Sequence, residues 1–260
     1  MNLREAAVQG TFYPADRDRL RQDIDRFLMR DPPALGNSPK VLIAPHAGYV
    51  YSGATAAAAY RCLRQSAESI ERVVVLGPAH RVYLQGMALP GVAAFSTPLG
   101  DIPLDLECMA SVSELPGVSV DEEAHRLEHS IEVQLPFLQA VLGGFSLVPI
   151  VVGHCDPRGV GAVIDAVWGG RETLLVISTD LSHFHSYNEA RQLDTITCER
   201  ILAKDNTLVG EDACGAQALN GLMSAAHCQQ LRVQLLDMCN SGDSAGSRER
   251  VVGYGAFILY

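Results

Sequence analysis

From residue 40 onward the chain repeats one unit: a short β-branched apolar run, a polar turn and a helical stretch. The runs are Val41–Ala44, Val73–Gly77, Leu147–Val152, Leu174–Ser178, Arg232–Met238 and Val251–Leu259. They lack strict apolar/polar alternation, as strands covered on both faces do. Gly53–Arg64, Leu104–Val112, Ser130–Leu142, Gly159–Trp168, Asn188–Ala203 and Ala213–Ala226 read as helices between them. Such alternation predicts an α/β fold, a three-layer sandwich with a mainly parallel central sheet.

Residues 82–103, with two Gly/Pro clusters, read as an inserted hairpin. Ahead of residue 40, Asp16–Met29 puts Leu20, Ile24, Phe27 and Leu28 on one helical face, and Gly10–Pro14 reads as a loop with two aromatics to bury. Asp31–Pro39 is the linker-like stretch. Composition does not shift after it, so a single domain over residues 1–260 is expected.

Composition narrows the function classes. A hydrophobic share of 48% in 260 residues supports a sizeable core. The net charge of −10 and the absence of a basic stripe argue against a nucleic-acid partner. Apolar runs such as Phe145–Gly153 are too short to span a membrane. The start, MNLREAAVQG, lacks the apolar core of a signal peptide. Seven widely spaced cysteines without a CxxC disfavour a disulfide framework and fit a reducing compartment, so a cytoplasmic location is expected.

In open α/β sheets, ligands bind beyond the carboxyl ends of the strands. Four of the predicted strand ends carry histidine: His46 after Pro45, His80 after Pro78-Ala79, His154 after Gly153, and His183 and His185 after Thr179-Asp180. A single histidine is most often a satisfied polar residue, but several at one edge point to a metal or acid–base site. Neutral imidazoles suit iron, copper or zinc, yet two alone hold a metal poorly. A third ligand would come from Asp180, His183, Glu128, Glu132 or a cysteine.

Cys214 is the best placed cysteine. Asp212 reads as an N-cap, which puts the thiol in the first helical turn, where the dipole favours a thiolate. The Asp212 charge opposes this, so only a modest lowering of the thiol pKa is expected. The plain alternative is a small buried hydrophobe. His125-Arg126-Leu127-Glu128-His129 also matches the H-x-x-E-H zinc-protease signature. That chemistry needs both histidines on one helix and Glu128 as general base. Asp121–Arg126 reads instead as a polar connection, with the helix beginning near Ser130, so a protease is the minor alternative.

Several motifs occur in the order seen in the Memo family, which the chain resembles over nearly its whole length. They are Ala44-Pro45-His46-Ala47-Gly48-Tyr49, Leu76-Gly77-Pro78-Ala79-His80, Glu128-His129-Ser130-Ile131-Glu132, Ser178-Thr179-Asp180 with His183, and Asp212-Ala213-Cys214-Gly215. The N-terminal Ala7–Pro14 and the C-terminal Gly253-Tyr254-Gly255-Ala256 resemble it too. The resemblance implies a fold similar to the class III extradiol dioxygenases, non-haem iron enzymes that cleave catechol rings. It implies that His46 and His80 ligate a metal and that Cys214 replaces the dioxygenases' carboxylate ligand. His129 and His183 would be acid–base or substrate-binding groups, with Asp180 beside them. Iron or copper, with zinc a further choice, would be the cofactor.

For prokaryotic members the resemblance also implies a radical SAM protein and an AMMECR-type protein as partners. Two functions follow as expectations. One is a metal-dependent oxidoreductase of dioxygenase type. The other is a non-catalytic binding or adaptor protein whose vestigial pocket takes a small molecule or peptide. A thiolate ligand, soft and itself oxidisable, weighs against ordinary catechol cleavage.

Overall fold

The computed structural model describes residues 2–33 and 37–260; residues 34–36 of the linker-like Asp31–Pro39 stretch lie outside the described residues. The chain opens with β1 (Leu3–Arg4), α1 (Arg17–Leu28), β2 (Val41–Ala44), α2 (Tyr49–Tyr60) and β3 (Arg72–Pro78). Next come β4 (Met87–Leu89), β5 (Ala94–Thr97), β6 (Gly100–Pro103), α3 (Leu106–Ser113), β7 (Val118–Val120) and α4 (Glu122–Arg126). The second half holds α5 (Leu135–Val141), β8 (Ser146–Val152), α6 (Pro157–Ala166), β9 (Thr173–Ser178) and β10 (His183–His185). It ends with α7 (Tyr187–Leu202), α8 (Ala216–Ser224), β11 (Val233–Asn240) and β12 (Val251–Leu259).

The central sheet runs β10-β12-β2-β9-β3-β8-β4-β7, with β11 also paired to β12. Its middle strands β2, β9, β3 and β8 are parallel. β12 joins β2, and β4 joins β8, in antiparallel fashion. The middle strands are buried along nearly their whole length, which explains their continuous apolar runs. Helices α1, α2 and α5 pack on one another, and α6 packs on α8, so helical layers cover the sheet as a three-layer α/β sandwich. Asp16 caps α1 through the Arg19 amide, and Leu20, Ile24 and Leu28 bury its apolar face. No described helix is long and apolar enough to cross a membrane.

Several predicted boundaries are corrected. α2 starts at Tyr49 and not Gly53, because the Gly48 carbonyl already accepts the Ser52 amide. The helix predicted from Ser130 begins as a 3-10 turn at Glu132–Gln134 and becomes α-helical only at Leu135. Of residues 82–103, only β5 and β6 form the hairpin, which pairs with β1 in a small separate sheet; β4 joins the central sheet. Asp121–Arg126 is not a connection: Asp121 caps α4 through the Glu123 and Ala124 amides.

Candidate metal centre

Adjacent parallel strands end at one edge, and registers such as Ala44 opposite Ser178 bring their following residues together. His46 lies two residues beyond β2, Asp180 two beyond β9 and His80 two beyond β3. Potential ligand atoms of His46, His80 and His129 lie within 4.8 Å of one another. His46 is buried, His129 half-buried and His80 exposed, so the cluster meets solvent at His80. His129 arrives from the segment after α4, pressed against the end of β3. A side chain at Gly77 would put its Cβ 2.6 Å from Ser130 Oγ, so that approach requires glycine.

Hydrogen bonds settle which nitrogen of His46 carries a proton. Ser178 Oγ has one proton, which it donates to the Ser130 carbonyl at 2.5 Å. It accepts from Gln134 Nε2 at 2.8 Å, and its 2.8 Å contact with His46 Nδ1 must then be a second acceptance. His46 is therefore protonated at Nδ1 when neutral, and its Nε2 lone pair is left available. Gln134 is itself oriented by Tyr60, whose hydroxyl donates to Oε1 at 2.7 Å. Burial, with the neighbouring His80 and His129, holds the His46 pKa well below its ordinary value, so the ring is neutral.

Glu128 plays the same part for His80. Its Oε1 accepts from His80 Nδ1 at 2.9 Å and from the amides of His129 and Ser130, while Oε2 accepts the His80 amide at 2.6 Å. Burial alone would raise this carboxyl. The His129 and His80 rings and the His80 amide outweigh burial and hold it far below the usual carboxylate range. As an ionised acceptor it fixes a proton on His80 Nδ1, which leaves Nε2 as the other ring nitrogen for a ligand. His129 differs: its Nδ1 is buried, lies 3.2 Å from Glu128 Oε1, and makes no hydrogen bond.

Asp180 and Cys214 adjoin the cluster. Asp180 Oδ1 accepts the His46 amide at 2.8 Å, and burial raises its carboxyl to about 6. Cys214 Sγ lies 3.3 Å from His46 Nε2 and accepts the Asp180 amide at 3.2 Å. The expected capping role of Asp212 does not occur. Asp212 pairs with Arg200 and accepts the Val209 amide, and α8 starts only at Ala216, after Cys214. Burial and the Asp180 charge push the thiol up to about 12, the reverse of the expected lowering. With the Nε2 of His46 unprotonated, the thiol donates to it. Gly215 lets this loop reach β9, since a Cβ there would sit 2.6 Å from Thr179 Cβ. His183 stands half-buried at the start of β10, three residues beyond Asp180.

The Memo-like protein family model matches residues 4–258. The chain belongs to the Memo family. It is 35% identical to a MEMO1 family protein of Aquifex aeolicus, with all of both chains covered. It is 36% identical to the MEMO1 family protein MK0963 of Methanopyrus kandleri, with 98% of each covered. A solved structure, the uncharacterized protein JW3007 of Escherichia coli K12, shares the fold at TM-score 0.53 and 14% identity, over 86% of this chain and 99% of that one.

In this Memo-family chain the zinc-protease match fails geometrically. α4 ends at Arg126, so His125 and His129 do not share a helix. The His125 ring instead sits beside Phe95, with Nε2 2.9 Å from the Ala88 carbonyl. Glu128 spends both oxygens on fixed N–H groups, which leaves no free base. Glu132, named above as a ligand choice, is buried and bonded to Arg4, Tyr13 and two amides. The His154 ring lies tilted beside that of Tyr83 at 5.5 Å and is not one of the clustered histidines. Ser178 and Gln134 were not singled out as site residues from sequence. Ser178 has one signal, a polar residue closing an apolar run, and Gln134 has none. The donor set fits a transition metal: two imidazoles anchored through Nδ1, a third with an orphaned buried nitrogen, and a thiol hydrogen-bonded to His46 Nε2.

Proposed function

We propose that this chain is a metal-dependent oxidoreductase that holds iron or copper through His46, His80 and His129, with Cys214 as a further donor. The observation carrying this reading is the convergence of three imidazoles within 4.8 Å, one of them exposed, at the carboxyl edge of the parallel sheet. A bound iron or copper supplies redox capacity and Lewis acidity. Ser178 and Glu128 engage the Nδ1 atoms of His46 and His80, so each ring would ligate through Nε2. Asp180 holds the His46 backbone through its amide. Cys214 Sγ faces the same Nε2 of His46, so ligation there requires the thiol to give up its hydrogen bond. A nearby cation offsets the burial that keeps this thiol protonated. His183, half-buried at the same edge, serves as the base that takes a substrate proton.

The test is anaerobic loading with iron(II), copper(I) or zinc(II), followed by metal analysis and oxygen uptake with a catechol panel. Near-stoichiometric iron or copper, lost in His46→Ala and His80→Ala, together with metal-dependent oxygen uptake, is the expected result. Metal retention without turnover on any substrate would favour the non-catalytic binding protein. Failure of the unmodified protein to retain any of the three metals would remove the metal reading altogether.

A further inference from the structure

The three imidazoles are held in different ways. His46 is anchored by Ser178 and His80 by Glu128, each through Nδ1. The His129 ring makes no hydrogen bond among the described residues; its buried Nδ1 only approaches Glu128 Oε1, at 3.2 Å. With no hydrogen bond to fix it, the ring relies on packing for its orientation. Two of its neighbours are the other imidazoles, at 5.4 Å from His46 and 4.6 Å from His80 between ring centres. The remaining aromatic contact comes from far away in sequence: Phe12, 4.7 Å from the His129 ring and inclined at 49°.

Phe12 is itself fixed by its backbone. Its amide donates to the Val8 carbonyl at 2.9 Å, and its carbonyl accepts the Tyr49 amide at 2.8 Å, at the first residue of α2. On either side of it, the segment is tied to Glu132. That carboxylate accepts from Arg4, the Ala7 and Val8 amides and the Tyr13 hydroxyl, at distances from 2.6 to 3.0 Å. Glu132 lies three residues beyond His129 in sequence. The residues that carry the ring and the residues that press on it are therefore clamped together.

We infer that Phe12 is a positioning residue for His129, taking the place of the hydrogen-bond anchor that the other two imidazoles have. The inference rests on the three-imidazole reading of the site for its consequence in metal binding, but its geometric part stands without a metal. The N-terminal segment is then one wall of the site, although none of its residues belongs to the histidine cluster.

The test uses the full chain with Phe12→Ala, Phe12→Leu and Phe12→Tyr. Their backbone hydrogen bonds are unaffected by the side chain, and circular dichroism and thermal unfolding confirm that each variant folds. In the metal-free protein, spin relaxation of isotope-labelled histidine rings reports how rigidly each ring is held. Phe12→Ala should loosen the His129 ring and leave those of His46 and His80 unchanged, with Phe12→Tyr restoring it. Cobalt(II) titration followed by absorption should show affinity falling roughly tenfold in Phe12→Ala, as when a residue that orients a ligand is lost. Phe12→Leu should fall between, because it fills space without a flat face. A His129 ring as rigid in Phe12→Ala as in the unmodified protein, or equal loosening of all three rings, would overturn the inference. If the unmodified protein takes up no cobalt(II), the ring-rigidity comparison alone decides whether Phe12 positions His129.

Discussion

Glu128 concentrates the most consequence in one side chain. Four N–H groups point at its two oxygens, three at Oε1 and one at Oε2. In Glu128→Gln, one of these positions becomes an NH2 facing a donor, and a buried N–H loses its acceptor. That should cost about 1–3 kcal/mol of stability and weaken metal retention by roughly 10–100-fold. Urea unfolding and metal analysis of the same preparation measure both; unchanged metal retention would show that His80 needs no anchor. Cys214 carries a second prediction. With its thiol pushed up to about 12, it should alkylate slowly at pH 8 in metal-free protein, no faster than Cys155 at about 11. Mass-spectrometric mapping of iodoacetamide labelling checks this. Cys214→Ser should lower metal retention more than Cys155→Ser, since a hydroxyl ligates poorly at neutral pH. His46 and His80 were legible in sequence because each follows a strand end directly. Glu128 appeared there only as a ligand choice or a protease base, because its real partners are backbone amides brought together by the β3 turn.

At the scale of elements, the doubly covered strands were the most legible, since burial on both faces leaves an uninterrupted apolar run. Helix starts were less so. Ser130, Glu132 and Gln134 look like ordinary early-helix residues, yet each side chain is committed to a partner outside the helix. α4 was missed because five residues are too few to show a period. The Glu132 clamp ties the N-terminal segment to the turn before α5, and Arg4 and Glu132 are both almost fully buried. Glu132→Gln removes the charge that compensates Arg4, so it should destabilise the protein by about 3–5 kcal/mol. Asp25→Asn, which breaks the exposed Arg21–Asp25 pair on α1, should change stability by at most about 0.5 kcal/mol. Chemical denaturation of the two variants compares them directly. Equal effects would mean that the clamp contributes no more than a surface pair.

The whole molecule should lose stability on mild acidification, and His125 makes the cause separable. Its ring is buried beside Phe95, and burial lowers its pKa to about 4 from the ordinary 6.5. The unfolded chain therefore takes up a proton near pH 6.5 that the folded chain refuses until about pH 4. Stability from this group is complete above pH 6.5 and declines as pH falls through the window, by about 1.4 kcal/mol per pH unit at full slope. By pH 4 the loss sums to about 3 kcal/mol. Buried His46 acts in the same direction. Asp180, raised to about 6, acts the opposite way, because the folded chain binds its proton more readily than the unfolded chain. Glu128 and Asp205 have lowered pKa values, so their contribution is lost only below the ordinary carboxylate range. Subtracting a His125→Gln variant cancels every group but one. Denaturant unfolding of both proteins with chelator present, from pH 7.5 to 4.5, should give free-energy curves that converge as pH falls, the variant's being flatter by up to one proton. Parallel curves would show that His125 titrates normally in the folded chain and is not held neutral by its buried position.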